Sequence, residues 1–131
     1  MTGVLPYLLV GIGGFLGANA RLVVGRAVAM ALPTGTFPLA TLVINVSGSF
    51  LLGVLGSVIA ARVPPSTDLL RLALGVGFLG AYTTFSTFEL ETHGLLDDGA
   101  WLSAAAYVGF SVFLGLLAVR VGLVLGRSWI T

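Results

Sequence analysis

Residues 75–89 read Gly75-Val-Gly-Phe-Leu-Gly80-Ala-Tyr-Thr-Thr-Phe85-Ser-Thr-Phe-Glu89, and no residue between Arg71 and Glu89 carries a charge. Three glycines precede four serine and threonine side chains that are interspersed with aromatic rings. Glycine and threonine weaken helix propensity, and hydroxyl groups compete for backbone carbonyls. The run therefore predicts a helix that breaks near residues 80–84; a continuous but kinked helix is the alternative. A break at mid-membrane depth would expose carbonyls suited to a cation and amide groups suited to an anion.

The composition of the whole chain indicates an integral membrane protein. Hydrophobic residues make up 57% and charged residues only 8%, whereas a soluble domain carries about 25% charged residues. The 131 residues have room for about four spans of ~20 residues each. We therefore expect one all-α transmembrane domain, residues 1–131.

Several function classes are excluded by residues that the chain lacks. It has no cysteine and one histidine, which rules out disulfides, thiolate chemistry and an ordinary zinc site. The net charge of +1 provides no basic arm for nucleic acid. No nucleophile–base pair is evident, so we do not expect an enzyme.

Charged residues and turn residues mark where the spans end. A turn cluster at residues 33–38 divides the long uncharged stretch between Arg26 and Arg62. The predicted spans are Leu5–Ala29, Pro38–Ala61, Asp68–Thr92 and Gly99–Arg127, joined by residues 33–38, 62–67 and 93–98.

The arginines orient this bundle only weakly, because they are spread over both sides of the predicted topology. Insertion in both directions would allow an antiparallel dimer. Small residues repeat every four positions at Gly13 and Gly17, and again at Gly122 and Gly126. This spacing lets membrane helices approach closely, so we expect tight helix packing and an oligomer.

Polar residues in the second span lie on one helical face. Thr41, Asn45 and Ser49 are spaced by four. A polar group in hydrocarbon needs a partner, so this face meets protein or water. Hydrogen bonds between helices and a row of donors along a pore both explain the pattern.

Aromatic and hydroxyl residues in the last two spans offer further donors. Phe85 and Phe88 share a face, either as core aromatics or as ring edges that meet an anion. Tyr107, Ser111 and Gly115 repeat every four residues and form a polar track. Arg21 follows the glycines of the first span, either as an interface anchor or as part of a positive vestibule.

These features together resemble the Fluc (CrcB) fluoride channel family over nearly the whole chain. The resemblance rests on the first-span glycines through Arg21, on Thr41-Leu-Val-Ile-Asn45-Val-Ser-Gly48-Ser49-Phe50, and on the run from Gly80 to Phe88. It implies a fluoride-selective channel that lets fluoride leave the cell passively across a bacterial inner membrane. It also implies an antiparallel, dual-topology homodimer with two pores.

The resemblance assigns roles to individual residues. A central structural sodium ion would be held by the backbone carbonyls of Gly80 and Thr83 from both subunits. The pore residues would be Thr41, Asn45, Thr84, Phe85, Phe88, Tyr107, Ser111, Arg21 and Glu91. Within this set Asn45 supplies an amide, the two phenylalanines supply ring edges, and Glu91 lies near the pore mouth. Gly115 departs from the family pattern because it removes the last hydroxyl of the polar track.

Two other classes have four membrane spans. A proton-coupled antiporter of the small-multidrug type needs a carboxylate inside the membrane, usually early in the chain, whereas the first acidic residue here is Asp68. A membrane scaffold would use the polar faces only to hold helices together.

Overall fold

The computed structural model describes residues 3–32, 35–62 and 69–129, and every regular element in these ranges is helical. The elements are α1 (Leu5–Ala31), α2 (Leu39–Arg62), a π-helix (Arg71–Leu79), α3 (Gly80–Tyr82), α4 (Phe85–Asp97) and α5 (Trp101–Ser128). Residues 33–34 and 63–68, which carry part of the first predicted turn, most of the second connection and the start of the third span, lie outside the described residues.

Three of these helices are long and apolar enough to cross a membrane. Their mean hydropathies over the spanning windows are 1.6 for α1, 2.0 for α2 and 2.3 for α5. All three expose large apolar side chains, among them Tyr7 at 80%, Leu52 at 48% and Leu102 at 84%. A helix of 27 residues is about 40 Å long, which exceeds the ~30 Å hydrocarbon core. The first, second and fourth predicted spans are confirmed to within a few residues.

The third predicted span is divided into shorter segments. The backbone is extended at Thr83 (ψ 160°) and Thr84 (φ −151°, ψ 116°), between the end of α3 and the start of α4. This interruption lies at the C-terminal edge of the residues expected to break. Its depth in a bilayer stays a prediction.

The predicted connection at residues 93–98 is wrong, because α4 continues through Asp97. His93 and Asp97 lie one helical turn apart, with 3.6 Å between Nδ1 and Oδ1. The chain then turns at Gly99, whose φ of 72° is a left-handed conformation that favours glycine. Residues 93–97 form the last turns of α4, where His93 and Asp97 are exposed and Leu95 is buried in the core.

Glycines bring two pairs of elements into backbone contact. A Cβ at Gly13 would collide with the Ala73 carbonyl, and one at Gly17 with the Phe78 carbonyl, so α1 lies directly on the π-helix. A Cβ at Gly122 would collide with the Phe50 carbonyl, which sets α5 equally close to α2. The predicted close packing at these glycines is confirmed.

Candidate functional site

Asn45 holds the interrupted segment from the neighbouring helix. Its Nδ2 donates to the Thr84 carbonyl at 3.0 Å, and its Oδ1 accepts from the Thr84 N–H at 2.8 Å. The Thr84 hydroxyl in turn accepts from the Thr87 N–H and so caps α4. A polar residue in α2 thereby satisfies backbone groups that the break would otherwise leave unpaired. The side-chain amide of Asn45 has two N–H groups, and one of them takes no part in the two hydrogen bonds to Thr84.

The same bonds release two carbonyls of the broken segment. In a continuous helix the Gly80 carbonyl would accept from the Thr84 N–H, and the Thr83 carbonyl from the Thr87 N–H. Both N–H groups instead bond to side-chain oxygens, at 2.8 Å and 3.3 Å respectively. The carbonyls of Gly80 and Thr83 therefore lack their helical donors, and both are on residues that line the first cavity described below.

Two supports of the break were not predicted from the sequence. Ser47 Oγ lies 2.8 Å from Tyr82 Oη, which ties α2 to the end of α3. Gly48 is buried, and a Cβ there would collide with the Thr83 methyl group. Both residues follow Asn45 within one helical turn, and this closeness in the sequence is the feature that could have indicated their role in supporting the break.

Glu91 connects α2, α4 and α5 through two short hydrogen bonds. Thr41 Oγ1 donates to Glu91 Oε1 at 2.8 Å, and Tyr107 Oη donates to Glu91 Oε2 at 2.7 Å. Thr41 is 5% exposed and Tyr107 is fully buried. Thr41 therefore contacts a different group from Asn45, although both were predicted on one polar face. Glu91 lies within α4, which ends at Asp97.

A cavity of about 360 Å³ lies beside the interruption. Each side chain of its lining that can donate a hydrogen bond is uncharged. The lining includes the predicted residues and their neighbours Asn45, Ser49, Gly80, Thr83, Thr84, Phe85, Phe88 and Ser111. Ser111 Oγ is buried and has no hydrogen-bond partner among the residues that the structure describes. A buried donor without a protein partner is costly, so a polar occupant would stabilise it.

The two phenylalanines of this cavity have different surroundings. Phe88 lies between Phe85 and Tyr107, with ring centroids 5.8 Å and 5.1 Å away. Phe85 is 70% exposed in the single chain. The core-aromatic interpretation therefore describes Phe88 and not Phe85.

A second cavity, of about 540 Å³, contains the predicted Arg21. Arg26, which the sequence did not single out, also lines it, together with the hydroxyl residues Thr41, Thr84 and Thr87. Thr84 lines both cavities. The broken segment thus lies between a cavity with two arginines and a cavity with uncharged donors.

Comparisons of the sequence with known proteins identify the family of this chain. The family model described as CrcB-like protein, Camphor Resistance (CrcB), matches residues 8–123. A protein of Acidobacterium capsulatum named fluoride-specific ion channel FluC is 47% identical over 94% of this chain and 97% of the relative. Proteins with the same name from Nitratidesulfovibrio vulgaris and Solibacter usitatus are 42% and 43% identical, and the matches cover 92% and 94% of this chain and 95% and 99% of the relatives.

Proposed function

The chain belongs to the CrcB-like family of membrane proteins, and from that premise we propose that it is a fluoride-selective channel. The chain is not an enzyme, since the family is one of ion channels. The observation that carries the proposal is the cavity at the break, where an amide, hydroxyls and aromatic rings face the same space. Fluoride would pass through it down its electrochemical gradient.

The uncharged lining suits a small and strongly hydrated anion. Several donors must replace the water that fluoride loses on entry, because an incompletely compensated ion is expensive in a low dielectric. Conduction also requires that the ion leave again, so binding must stay weak enough for release. Neutral donors in series meet both requirements better than a fixed positive charge. Ser111 Oγ, which is buried without a protein partner, would donate directly to the ion.

Aromatic rings and a helix end add to this environment. The edge of an aromatic ring carries positive charge and can face an anion. Phe85 and Phe88 line the cavity at the point where α4 begins. The N-terminal end of a helix carries partial positive charge from its unpaired N–H groups. The ring edges and the first turn of α4 would therefore both favour an anion beside Thr84.

The cavity with Arg21 and Arg26 would be the entrance to this path. Its two arginines raise the local concentration of anions, and Thr41, Thr84 and Thr87 supply hydroxyls next to them. Thr41, which lines this cavity, and the buried Tyr107 both donate to Glu91, so Glu91 would fix the position of Thr41 at the entrance. Under the negative membrane potential of a bacterial inner membrane, fluoride would flow outward and lower its cytoplasmic concentration.

The proposed assembly is an antiparallel homodimer with two pores and a central structural sodium ion. The residues fit such an ion, because hard cations bind oxygen ligands and the carbonyls of Gly80 and Thr83 lack their helical donors. Two carbonyls from each subunit would hold it, and its charge would stabilise the two interruptions. Phe85, which is 70% exposed in one chain, would be covered by the second copy.

The experiment that tests the proposal is fluoride efflux from potassium-loaded liposomes containing the purified protein and a potassium ionophore, which balances the charge that leaves with fluoride, followed with a fluoride electrode. We expect rapid efflux without any proton gradient, and none from protein-free liposomes. Fluoride retention by both preparations would refute the channel. Efflux that appears only with an imposed proton gradient would favour a coupled antiporter instead.

A further inference from the structure

The polar track of α5 loses its last hydroxyl at Gly115. Tyr107, Ser111 and Gly115 follow one another at intervals of four residues and therefore lie along one face of α5. Among the described residues outside the backbone of α5, the one atom within 4 Å of a Cβ at Gly115 would be the Oγ of Ser49, at 3.7 Å. A hydroxyl of α2 is therefore already located beside the position where α5 lacks one.

The Ser49 hydroxyl differs from others in the same helix. Ser47 Oγ donates to the Ile44 carbonyl at 3.1 Å, and Ser57 Oγ donates to the Val54 carbonyl at 2.8 Å. Serine hydroxyls within helices commonly donate to a backbone carbonyl of the preceding turn. Within the described ranges, Ser49 makes no hydrogen bond of this kind. Its hydroxyl is therefore available to another acceptor.

Ser49 faces the same cavity as the donors already assigned. It lines the 360 Å³ cavity together with Asn45 and Ser111. Asn45 precedes it by one turn of α2, and Ser111 precedes Gly115 by one turn of α5. The donors of α2 and those of α5 therefore lie side by side along the cavity, with Ser49 next to Gly115.

We propose that Ser49 supplies the fluoride-facing hydroxyl that Gly115 does not, so that the donor row passes from α5 to α2 at this level. This inference rests on the proposed fluoride channel. A serine hydroxyl can donate to fluoride or to a water that accompanies it, and donors to charged acceptors form stronger hydrogen bonds than neutral pairs. The position of the hydroxyl matters more than the helix that carries it.

The test is a rescue experiment with four forms of the protein: unaltered, Ser49→Ala, Gly115→Ser and the double variant. We expect Ser49→Ala to lower the initial fluoride efflux rate about tenfold, the range expected for one hydrogen bond to an ion. The double variant should recover most of that loss, because the contact of 3.7 Å leaves room for a serine at position 115. Ser57→Ala is the matched control, since its hydroxyl bonds to the Val54 carbonyl of its own helix, and it should conduct normally.

The outcomes separate this inference from the proposed function. Fluoride retention by the unaltered protein would refute the channel and this inference with it. Normal efflux by the unaltered protein together with normal efflux by Ser49→Ala would refute only the role of Ser49. A loss in Ser49→Ala that Gly115→Ser does not restore, or a Ser49→Ala variant that elutes as aggregate, would show that Ser49 is structural and would also overturn the inference.

Discussion

The rings of Phe85 and Phe88 lie three residues apart and have different surroundings, so their substitution should have different effects. Phe85→Ile should slow fluoride efflux with a smaller loss of melting temperature than Phe88→Ile, because within the chain the Phe85 ring contacts one aromatic ring and the Phe88 ring contacts two. Phe88→Ile should slow efflux and also lower the melting temperature, because its contact with Tyr107 at 5.1 Å is lost. Such aromatic pairs contribute about 0.5–1.5 kcal/mol beyond buried area.

Efflux rates and thermal unfolding in detergent measure the two effects separately. Undiminished efflux in both variants would show that the two phenylalanines only pack against their neighbours and do not face the ion. An equal loss of stability in both would contradict the difference in their surroundings.

Sequence spacing identified the polar residues of the site but not their partners. Asn45, Glu91 and Tyr107 were recognised by residue type and by a family pattern. The bond from Asn45 to Thr84 spans 39 positions, and that from Thr41 to Glu91 spans 50. Contacts at such separations depend on how the helices pack, which periodicity within one helix does not reveal. For this reason Glu91 was expected at a pore mouth and not as a bridge among three helices.

At the level of elements, the contact between α1 and the π-helix depends on Gly13. A Cβ there would collide with the Ala73 carbonyl, a backbone atom that has little freedom to move. Gly13→Ala should therefore destabilise the protein by about 1–3 kcal/mol, as overpacking does in other cores. Gly11→Ala is the matched control in the same helix, because in the described part of the chain no atom beyond the backbone of α1 lies within 4 Å of its added Cβ.

Thermal unfolding in detergent of both alanine variants measures this difference. We expect a lowered melting temperature for Gly13→Ala and an unchanged or raised one for Gly11→Ala, since alanine favours helix over glycine. Equal melting temperatures would contradict the close backbone contact.

The elements differed in how well the sequence predicted them. Hydropathy and the gaps between charged residues located α1, α2 and α5, because a helix that crosses a bilayer needs about 20 consecutive apolar residues. The interruption at Thr83 and Thr84 was signalled by glycine and hydroxyl residues. The π-helix at Arg71–Leu79 was not predicted, because its glycines at 75 and 77 have no pattern that separates a π-helix from an α-helix. The π-helix lies in direct backbone contact with α1, a contact that the sequence of the segment itself does not reveal.

The whole molecule should insert in both orientations. Four arginines (Arg62, Arg71, Arg120 and Arg127) belong to one side of the predicted topology, and two (Arg21 and Arg26) to the other. Because several of these lie within helices, the bias that determines orientation is small. The chain contains no cysteine. A thiol reagent would therefore label only an introduced cysteine, and its labelling shows on which side of the membrane that residue lies.

Labelling of Asp97→Cys with a membrane-impermeant thiol reagent tests this topology. Asp97 is 69% exposed at the end of α4. In right-side-out vesicles we expect about half of the protein to react from outside and the rest only after permeabilisation, as an even dual topology requires. Complete labelling from one side would refute the antiparallel dimer.

Fluoride and chloride efflux measured on the same liposomes, with the unaltered protein and with Asn45→Asp, tests most directly whether neutral donors at the break conduct fluoride. Aspartate would keep an acceptor for the Thr84 N–H but lose the donor to the Thr84 carbonyl. It would also place a negative charge in the cavity, and two like charges 4 Å apart repel by about 4 kcal/mol at an effective dielectric constant of about 20. We expect the unaltered protein to release fluoride and retain chloride, and Asn45→Asp to retain both ions. Equal release of the two anions by the unaltered protein, or undiminished fluoride efflux in Asn45→Asp, would contradict the account.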